Sequence, residues 1–411
     1  MKKIAIIIQR YGSQVNGGAE VYARNLAQEL ADFYQVDVLT TQAKDYITWE
    51  PVFEKGVEQD GKVTVRRFEN SRRGTRSQLR YSRKKLGRRL WWQWVAKKMG
   101  LLAYIEQLFP SFEVQKKDHD AWLIHQGPYT PSMMDYIKSH QHEYSCFVFF
   151  TLLYYTACKG LEVAGSKSIL VPTLHDEKAM YYPYYKDYYN MAKHIFFLTR
   201  AESHIAEKLF HSPTKSTRVI GAGVTVPEVS EPTQDWLLEK GISKPYLIYI
   251  GRVDQHKGTD DMICFFQEFN ESMHLAYQLV VVGAGKAPSF TDTAQVICTG
   301  FIEEDVKWKL LKGSQMLIMP SRYESLSLVL LEAMAYGKPV LANQLCDVLA
   351  EHIRNSEGGG TFTNATDFSV ALKDLLLNEN KYKEASVQAI NYVRTQYSWD
   401  AVTSHFRKCI D

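Results

Sequence analysis

Short runs rich in Val and Ile alternate with longer amphipathic stretches through most of the chain. Apolar runs of strand length, separated by stretches of helical period, predict parallel β-sheets covered by helices on both faces. The predicted strands are 3–9, 36–40, 63–68, 121–125, 145–150, 168–173 and 194–198 in the first half, and 246–251, 278–283, 295–299, 315–319 and 339–342 in the second. The pattern therefore predicts an α/β protein with two sheets.

The strand pattern resets between residues 222 and 245. There the sequence VTVPEVSEPTQ brings together two prolines and several polar residues, and a fresh apolar run, YLIYIG, follows. A chain of 411 residues also exceeds what one hydrophobic core usually organises. We therefore predict two domains, at 1–222 and 223–393, followed by a segment at 394–411 that contains SWDAVTSHFRKCID and has helical spacing.

Composition narrows the class of protein. Apolar residues make up 45% and charged residues 23%, which excludes wholesale disorder. The six cysteines contain no C-x-x-C pair, so neither a zinc site nor a disulfide framework is indicated and a cytoplasmic location is expected. The first apolar run, Ile4 to Ile8, is too short for a signal-peptide core, and the longest, Cys146 to Cys158, is too short to span a bilayer. Any membrane contact is expected to be peripheral.

The net charge of +3 is unevenly distributed, since residues 66–98 contain thirteen Arg or Lys against one acid, Glu69. Leu79, Leu86 and Leu90 recur there at helix-compatible spacing, and Trp91, Trp92 and Trp94 follow. Such a segment can lie on an anionic membrane surface, with the tryptophans at the interface. The alternatives are a solvated basic helix and a nucleic-acid contact, which would show a steep salt dependence.

A glycine pair follows the first predicted strand. Apolar positions from Ala19 to Phe33 alternate at intervals of four and three, so a helix is predicted to begin at Gly17 and Gly18, where an anion can approach free N–H groups. The spacing is neither a G-x-G-x-x-G fingerprint nor a P-loop, so NAD and a Walker site are disfavoured. A plain tight turn is the alternative.

The loop after strand 246–251 carries two cations. Arg252 follows Gly251 at the end of the strand, and Lys257 precedes Gly258 at the start of the next helix. Nucleotide phosphates usually bind at this edge of a parallel sheet, so the cations could neutralise a diphosphate. The alternative is a solvated basic loop.

The stretch MPSRYESLSLVLLEAMAYGKPVLAN is the most specific. A strand ends at Pro320, Ser325 is predicted to cap a helix that runs to Tyr336, and the N–H groups of Ser325 to Ser327 offer an anion site. Glu332 lies two turns beyond Ser325 and Glu324 stands just before the helix, so both carboxylates can face a cleft and accept hydrogen bonds from sugar hydroxyls.

The elements GGAE, GRVDQHKG and ESLSLVLLEAMAYGKPVLA together resemble the retaining nucleotide-sugar glycosyltransferases of family four. The resemblance covers nearly the whole chain and implies the GT-B fold, an α/β architecture of two Rossmann-like domains facing each other across a cleft. It also implies that the N-terminal domain binds the acceptor, that the C-terminal domain binds the nucleotide, and that the final helix returns to the first domain.

The resemblance implies roles for individual residues. Catalytic roles fall to Arg252 and Lys257, which would clamp the diphosphate, to Glu324 on the donor sugar, and to His175 at the end of a strand, where a structural histidine is the alternative. Donor-binding roles fall to Gly17, Gly18, Ile302, Ser325, Leu326, Ser327, Val329 and Glu332, the last as acceptor from ribose hydroxyls. His125 is a weaker second candidate.

The resemblance also implies the reaction, which is retention by front-face attack, with the leaving phosphate helping to deprotonate the acceptor. We expect no cofactor and no metal, because Asp118-His119-Asp120 precedes a predicted strand and is interpreted as a surface turn. A hexose-type donor on UDP, in preference to GDP, and a glycan or lipid-diphosphate-linked acceptor of surface polysaccharide synthesis are expected, with no nucleic-acid partner. The alternatives are a sugar-nucleotide epimerase, a phosphorylase, and a non-catalytic sugar-nucleotide-binding partner subunit.

Overall fold

The computed structural model describes residues 1–15, 17–87, 95–96, 99–101, 115–211, 216–274 and 276–411, with only the backbone of His256. The chain forms two compact units. The first unit comprises Met1–Leu198, Glu202–Ile220 and His405–Asp411, and the second comprises Thr199–Ala201 and Gly221–Ser404. Of the predicted basic segment 66–98, residues 88–94, which contain the three tryptophans, and residues 97–98 lie outside the described residues.

The first unit is built on an eight-stranded sheet of order β3-β4-β2-β1-β5-β6-β7-β8, parallel except for the antiparallel pair β3–β4. Its strands are β1 Lys3–Ile7, β2 Gln35–Thr41, β3 Gly56–Asp60, β4 Val63–Phe68, β5 Cys146–Phe150, β6 Ser168–Val171, β7 His194–Phe197 and β8 Ser216–Val219. The described helices are α1 Gly18–Leu30, α2 Arg76–Gly87, α3 Lys116–Gln126, α4 Pro131–His140, α5 Tyr155–Ala164, α6 Pro183–Met191 and α7 Arg200–Phe210.

The second unit has a six-stranded, fully parallel sheet of order β11-β10-β9-β12-β13-β14. Its strands are β9 Tyr246–Ile250, β10 Gln278–Val282, β11 Val296–Gly300, β12 Leu317–Met319, β13 Val340–Asn343 and β14 Gly359–Phe362. Its helices are α8 Gln234–Glu239, α9 Thr259–Ser272, α10 Glu304–Gly313, α11 Leu328–Ala335, α12 Asp347–Ser356, α13 Ala365–Leu377 and α14 Glu379–Gln396.

The last helix, α15 Trp399–Ile410, begins in the second unit and ends in the first. In the first unit the ring of Phe406 packs edge-on against Phe196 of β7, with 4.9 Å between the centroids. The Lys2 ammonium donates to the carbonyl of Ile410 at 3.1 Å. These contacts fix the end of α15 on the first sheet.

The central strands are buried on both faces, as the apolar runs predict. Every residue of β5, β9 and β10 is buried, because helices cover both faces of a parallel sheet. The predicted two-domain α/β fold with parallel sheets is confirmed. Among the described residues, no helix combines the length and apolarity needed to cross a bilayer.

The predicted strand at 121–125 is wrong, because these residues belong to helix α3. The buried side chains of α3 are His119, Trp122, Leu123 and Gln126, which recur at the three- and four-residue spacing of one helix face. Three strands were not predicted. β3 and β8 lie at the two edges of the first sheet and are almost entirely exposed, and β14 begins with two glycines.

Candidate functional site

The loop that follows β9 holds two cations beside an acidic side chain. Asp254 caps a single 3-10 turn, Gln255–Lys257, by accepting a hydrogen bond from the Lys257 backbone N–H at 2.9 Å. The half-exposed Arg252 guanidinium lies 3.5 Å from the Asp254 carboxylate. Both predicted cations therefore lie at the carboxyl end of a central strand, the edge where parallel sheets bind ligands.

Gly258 brings this loop against the end of the neighbouring strand β12. Its φ of +73° lies in the left-handed region, and a Cβ atom there would stand 2.7 Å from the carbonyl oxygen of Pro320. Only glycine combines this conformation with this approach. Asn343, at the end of β13, donates to the same carbonyl at 2.9 Å. The ends of β9, β12 and β13 are thus tied together.

Lys257 and Glu324 form a direct ion pair in the second unit. The Lys257 Nζ donates to Glu324 Oε1 at 2.6 Å, and the side chains are 23% and 16% exposed. The pair joins the loop after β9 to the loop after β12. The two residues are 67 positions apart in the sequence, and both were predicted to belong to the same site. The fold brings them into contact.

The helix after β12 begins later than predicted. Ser325 does not cap it, since α11 begins at Leu328 and its N-cap is Ser327, with a left-handed φ of +69° and no side-chain cap. The helix ends at Ala335, one residue before the predicted Tyr336. In the described structure the N–H groups of Ser327, Leu328 and Val329 donate no hydrogen bond. They form the free N-terminal end of α11, the end of a helix that favours negative charge.

Glu332 is buried on α11 and paired with a residue that the sequence did not indicate. Its Oε2 accepts a hydrogen bond from Lys307 Nζ of α10 at 3.4 Å, and that ammonium also lies 3.7 Å from the centre of the Trp308 indole ring. Burial raises the pKa of the Glu332 carboxyl, and Lys307 opposes the shift. No local motif marked Lys307, because only the fold brings α10 beside α11.

Two glycines after β10 were also missed. The Gly251 N–H donates to the Val282 carbonyl and the Val253 N–H donates to the Ala284 carbonyl, each at 2.9 Å. A Cβ atom on Gly283 would lie 1.8 Å from the Gly251 carbonyl oxygen. The glycines of the run VVGAG therefore allow the backbone after β10 to pass directly beside the Arg252 loop. In the sequence, two glycines at the end of a predicted strand indicated such a close backbone approach.

The remaining predicted residues of the second unit lie near these elements. Ile302 is half-buried in the connection between β11 and α10. Ser325 and Val329 are half-buried, and Leu326 is buried. In the described structure no hydrogen bond joins Ile302 to Lys257 or Glu324.

In the first unit, Gly17 is the N-cap of α1 and Gly18 is its first residue, as predicted. The φ of Gly17 is +151°, and a Cβ atom there would lie 2.1 Å from Oε2 of Glu20. Arg10 donates to Glu20 Oε1 at 2.6 Å in a buried ion pair. A Cβ atom on Gly18, in contrast, would meet no heavy atom within 4 Å, so the free approach at this helix end is at Gly18.

His175 follows β6 by four residues and is half-buried. The chain beside it is fixed by the buried Glu202, which accepts from the Leu174 N–H at 2.8 Å and from the Leu198 N–H at 2.7 Å. His125 lies instead in the last turn of α3, where its Nδ1 is 2.7 Å from the Ser82 hydroxyl.

The sequence Asp118-His119-Asp120 is a helical segment and not the surface turn that was predicted. Asp118 pairs with Lys85 at 3.0 Å and Asp120 with Lys159 at 2.7 Å. His119 is buried among tyrosines, and burial lowers its pKa to about 3. Over the described part of the chain, no group of three or more His, Cys, Asp or Glu is arranged to hold a metal ion.

The sequence of the second unit, which carries the Lys257–Glu324 pair and Glu332, matches a known protein family. Residues 232–392 match the family model described as glycosyl transferases group 1. The chain is 26% identical over 211 residues to an uncharacterized glycosyltransferase of Methanocaldococcus jannaschii, covering 47% of this chain and 53% of that protein. It is 25% identical over 205 residues to a phosphatidyl-myo-inositol mannosyltransferase of Propionibacterium freudenreichii, covering 49% and 52%. The chain therefore spans about half the length of these relatives.

Solved structures extend the likeness to the whole chain at the level of fold. The sucrose-phosphate synthase of Thermosynechococcus elongatus has a TM-score of 0.67 at 16% identity, covering 99% of this chain and 98% of that one. WaaG, a glycosyltransferase involved in lipopolysaccharide biosynthesis, has a TM-score of 0.64 at 15% identity, with 98% of each chain covered. Anabaena HepE in complex with UDP and glucose has 0.60 at 15%, with 99% of each covered. Residues 232–392 are therefore a glycosyl transferases group 1 domain, within a chain that has the two-domain fold of the GT-B glycosyltransferases.

Proposed function

We propose that this chain is a retaining, metal-independent glycosyltransferase that moves a hexose-type sugar from a nucleoside-diphosphate sugar to a glycan or lipid-linked acceptor. The observation that carries the proposal is the Lys257–Glu324 ion pair of 2.6 Å beside the free N–H groups of α11. A cation, a helix N-terminus and carboxylates at the carboxyl edge of one sheet suit a ligand that has both a diphosphate and hydroxyl groups.

The proposed chemistry depends on charge. As the bond between sugar and diphosphate breaks, positive charge grows at the anomeric carbon and negative charge grows on the leaving phosphate. Lys257, Arg252 and the N-terminus of α11 would stabilise the leaving diphosphate. Glu324 would accept hydrogen bonds from the donor sugar, and Glu332 would accept them from the ribose. The acceptor would attack from the face that the diphosphate leaves, and that phosphate would take its proton.

We assign the remaining roles by resemblance. Main-chain N–H groups of Ser325, Leu326 and Ser327 and the side chain of Val329 would line the donor pocket, and Ile302 would meet the base. In the first unit, Gly17 and Gly18 would approach the diphosphate and His175 would serve the reacting sugar and the acceptor. The open approach at Gly18 supports its part of this assignment, whereas Glu20 already occupies the space beside Gly17.

Uridine is proposed as the base and surface polysaccharide as the product. HepE, with the same fold, is described in complex with UDP and glucose, and WaaG is described as involved in lipopolysaccharide biosynthesis. A relative, the phosphatidyl-myo-inositol mannosyltransferase, is named for a lipid acceptor. We propose that the protein works in the cytoplasm and at the inner face of the plasma membrane, where it would reach a lipid-linked acceptor.

The basic face of α2 is the described surface that supports membrane contact. It consists of the exposed cations of the helix outside the buried stripe of Ser82 and Leu86, and its members are Arg76, Arg80, Arg83, Lys84 and Lys85. Lysine and arginine near an anionic bilayer each contribute about 1 kcal/mol of attraction. Lys85 is partly neutralised by Asp118.

The proposal is tested first by binding. A thermal-shift and calorimetry panel of UDP, GDP, ADP and their hexose derivatives should raise the unfolding temperature most for a uridine nucleotide, with no added metal and in the presence of EDTA. The absence of any nucleotide-induced shift would reject the donor site. Turnover with the tightest-binding donor then distinguishes a transferase, which consumes an acceptor, from an epimerase, which converts the donor without one. NMR of the new anomeric centre tests retention.

A further inference from the structure

His352, on α12, is buried beside the loop that precedes α11. It is 1% exposed, and its Nε2 lies 2.7 Å from the carbonyl oxygen of Leu326. On the other side of the ring, Nδ1 lies 3.0 Å from the Tyr392 hydroxyl and 3.4 Å from the Tyr397 hydroxyl. Those hydroxyls are 3.1 Å apart, so one imidazole links the loop to two tyrosines at and beyond the end of α14.

The partners of the ring fix its protonation. A carbonyl oxygen only accepts hydrogen bonds, so Nε2 must carry the proton that is donated to Leu326. Burial lowers the pKa of His352 to about 4, and the ring is neutral near pH 7. Nδ1 of the neutral ring is then the acceptor for a tyrosine hydroxyl. One tautomer satisfies both sides of a fully buried imidazole.

The bond to Leu326 determines where the backbone of the loop points. A trans peptide directs its C=O and the following N–H to opposite sides, so turning the Leu326 carbonyl toward His352 turns the Ser327 N–H away from it. The Leu326 carbonyl accepts from His352 and not from the Leu330 N–H, and Ser327 after it has a left-handed φ of +69°, so the helix begins only at Leu328. The Ser327 N–H is one of the free donors at the start of α11.

We propose that His352 is a positioning residue for the diphosphate, because its hydrogen bond to Leu326 aims the Ser327 N–H and the first turn of α11 at the phosphate. This inference rests on the proposed function. An imidazole that served only to fill the core would be replaceable by any side chain of its volume. His352 instead forms a hydrogen bond with each ring nitrogen, so it connects α14 to the loop that carries Glu324 in one fixed orientation.

Two amide variants separate positioning from packing. In His352→Gln the amide nitrogen can reach the place of Nε2 and donate to Leu326, whereas in His352→Asn the side chain is too short. Both bury an amide at the same position. We expect His352→Asn to weaken UDP binding about tenfold, the worth of one net hydrogen bond, and His352→Gln to stay within about threefold of the wild type. The KM for the donor should follow the same order, while the KM for the acceptor stays constant.

The control is Tyr382→Phe. Tyr382 lies on α14 with Tyr392, and its hydroxyl donates to the Gln315 carbonyl at 2.7 Å, so this variant removes a hydroxyl-to-carbonyl bond that does not touch the loop. UDP affinity should be unchanged in it. Equal UDP affinity in His352→Asn and His352→Gln, by calorimetry on folded protein, would overturn the positioning role. Failure of the wild type to bind any nucleoside diphosphate would instead reject the proposed function and this inference with it.

Discussion

Replacing Lys257 with alanine removes the cation that is proposed to stabilise the leaving diphosphate. It also breaks the 2.6 Å pair with Glu324, whose side chains are 23% and 16% exposed. Exposed pairs contribute about 0.2–1 kcal/mol and breaking a fully buried pair costs about 3–5 kcal/mol. This half-buried pair lies between those limits, so we expect a loss of about 1–2 kcal/mol in the free energy of unfolding. For a unit of this size that lowers the unfolding temperature by roughly 2–8 °C.

The effect on turnover should be larger. Removing one preorganised group that stabilises charge in the transition state costs about 100- to 1000-fold in kcat. Because the leaving phosphate gains charge as the bond breaks, Lys257→Ala should lower kcat more than it raises the KM for the donor. Steady-state kinetics with a saturating acceptor measure both, and thermal unfolding reports the stability of the same sample.

Lys159→Ala is the matched control for this variant. Lys159 forms ion pairs with Asp120 at 2.7 Å and with Glu162 at 3.0 Å in the first unit, and all three side chains are partly buried, so its loss should also cost about 1–2 kcal/mol of stability. It lies outside the proposed donor site, and kcat should stay within about twofold of the wild type. An unchanged kcat in Lys257→Ala would remove Lys257 from the mechanism, and an equal loss in both variants would show a general effect on the fold.

Three further predictions concern the buried acid, a close backbone approach and the membrane. Burial raises the pKa of Glu332 above 4.5, so the protonated acid is favoured by the fold and its contribution to stability is lost as the pH rises through the raised value. Between about pH 4.5 and neutrality the unfolding free energy of Glu332→Gln should therefore fall less than that of the wild type, as measured by chemical denaturation at each pH. The same variant should weaken UDP binding. Parallel curves of unfolding free energy against pH for the two proteins would contradict this prediction. Gly258→Ala should cost about 1–3 kcal/mol more unfolding free energy than Gly241→Ala, because the left-handed φ of +73° and +78° penalises both equally but only the first places a Cβ 2.7 Å from a backbone oxygen; equal costs would mean that the contact relaxes freely. The protein should co-sediment with anionic vesicles in preference to neutral ones, and replacing the cations of the basic face of α2 with glutamine should reduce that preference, whereas binding that is indifferent to lipid charge would reject the membrane proposal.

The sequence predicted those elements that local pattern determines. β1, β5, β9 and β10 appear as apolar runs because parallel strands are buried on both faces. The edge strands β3 and β8 do not, since solvent covers them and no apolar run is required. Helix α3 was misread because AWLIH alone has the length and apolarity of a strand. The deciding residue, His119, lies outside that run and completes one helical face with Trp122 and Leu123.

The residues of the candidate site also divide into those that a local motif predicts and those that only the fold reveals. Lys257, Glu324 and Glu332 belong to local motifs and could be found from their spacing. Lys307 and His352 could not, because each acts through a partner that is distant in sequence, Glu332 and Leu326 respectively. The predicted N-cap at Ser325 was also wrong. A serine three residues before an apolar run is a good local cap, but α11 starts only after Ser327, whose φ of +69° is left-handed and cannot continue a helix.

Each of three cations of the second unit has a carboxylate partner, in the pairs Arg252–Asp254, Lys257–Glu324 and Lys307–Glu332. Such pairing holds long side chains in place, at the cost of cancelling much of the field that would attract a bare anion. A ligand that offers only phosphate would engage the cations and leave Glu324 and Glu332 without the donors that they have now, whereas Asp254 keeps the Lys257 N–H. A nucleotide sugar offers phosphate oxygens to the cations and hydroxyl groups to the carboxylates, so both members of a pair keep a partner. In the proposed donor site this arrangement of charges would favour the complete donor over its phosphate alone, because selectivity arises where one ligand satisfies every polar group of the site and its competitors do not.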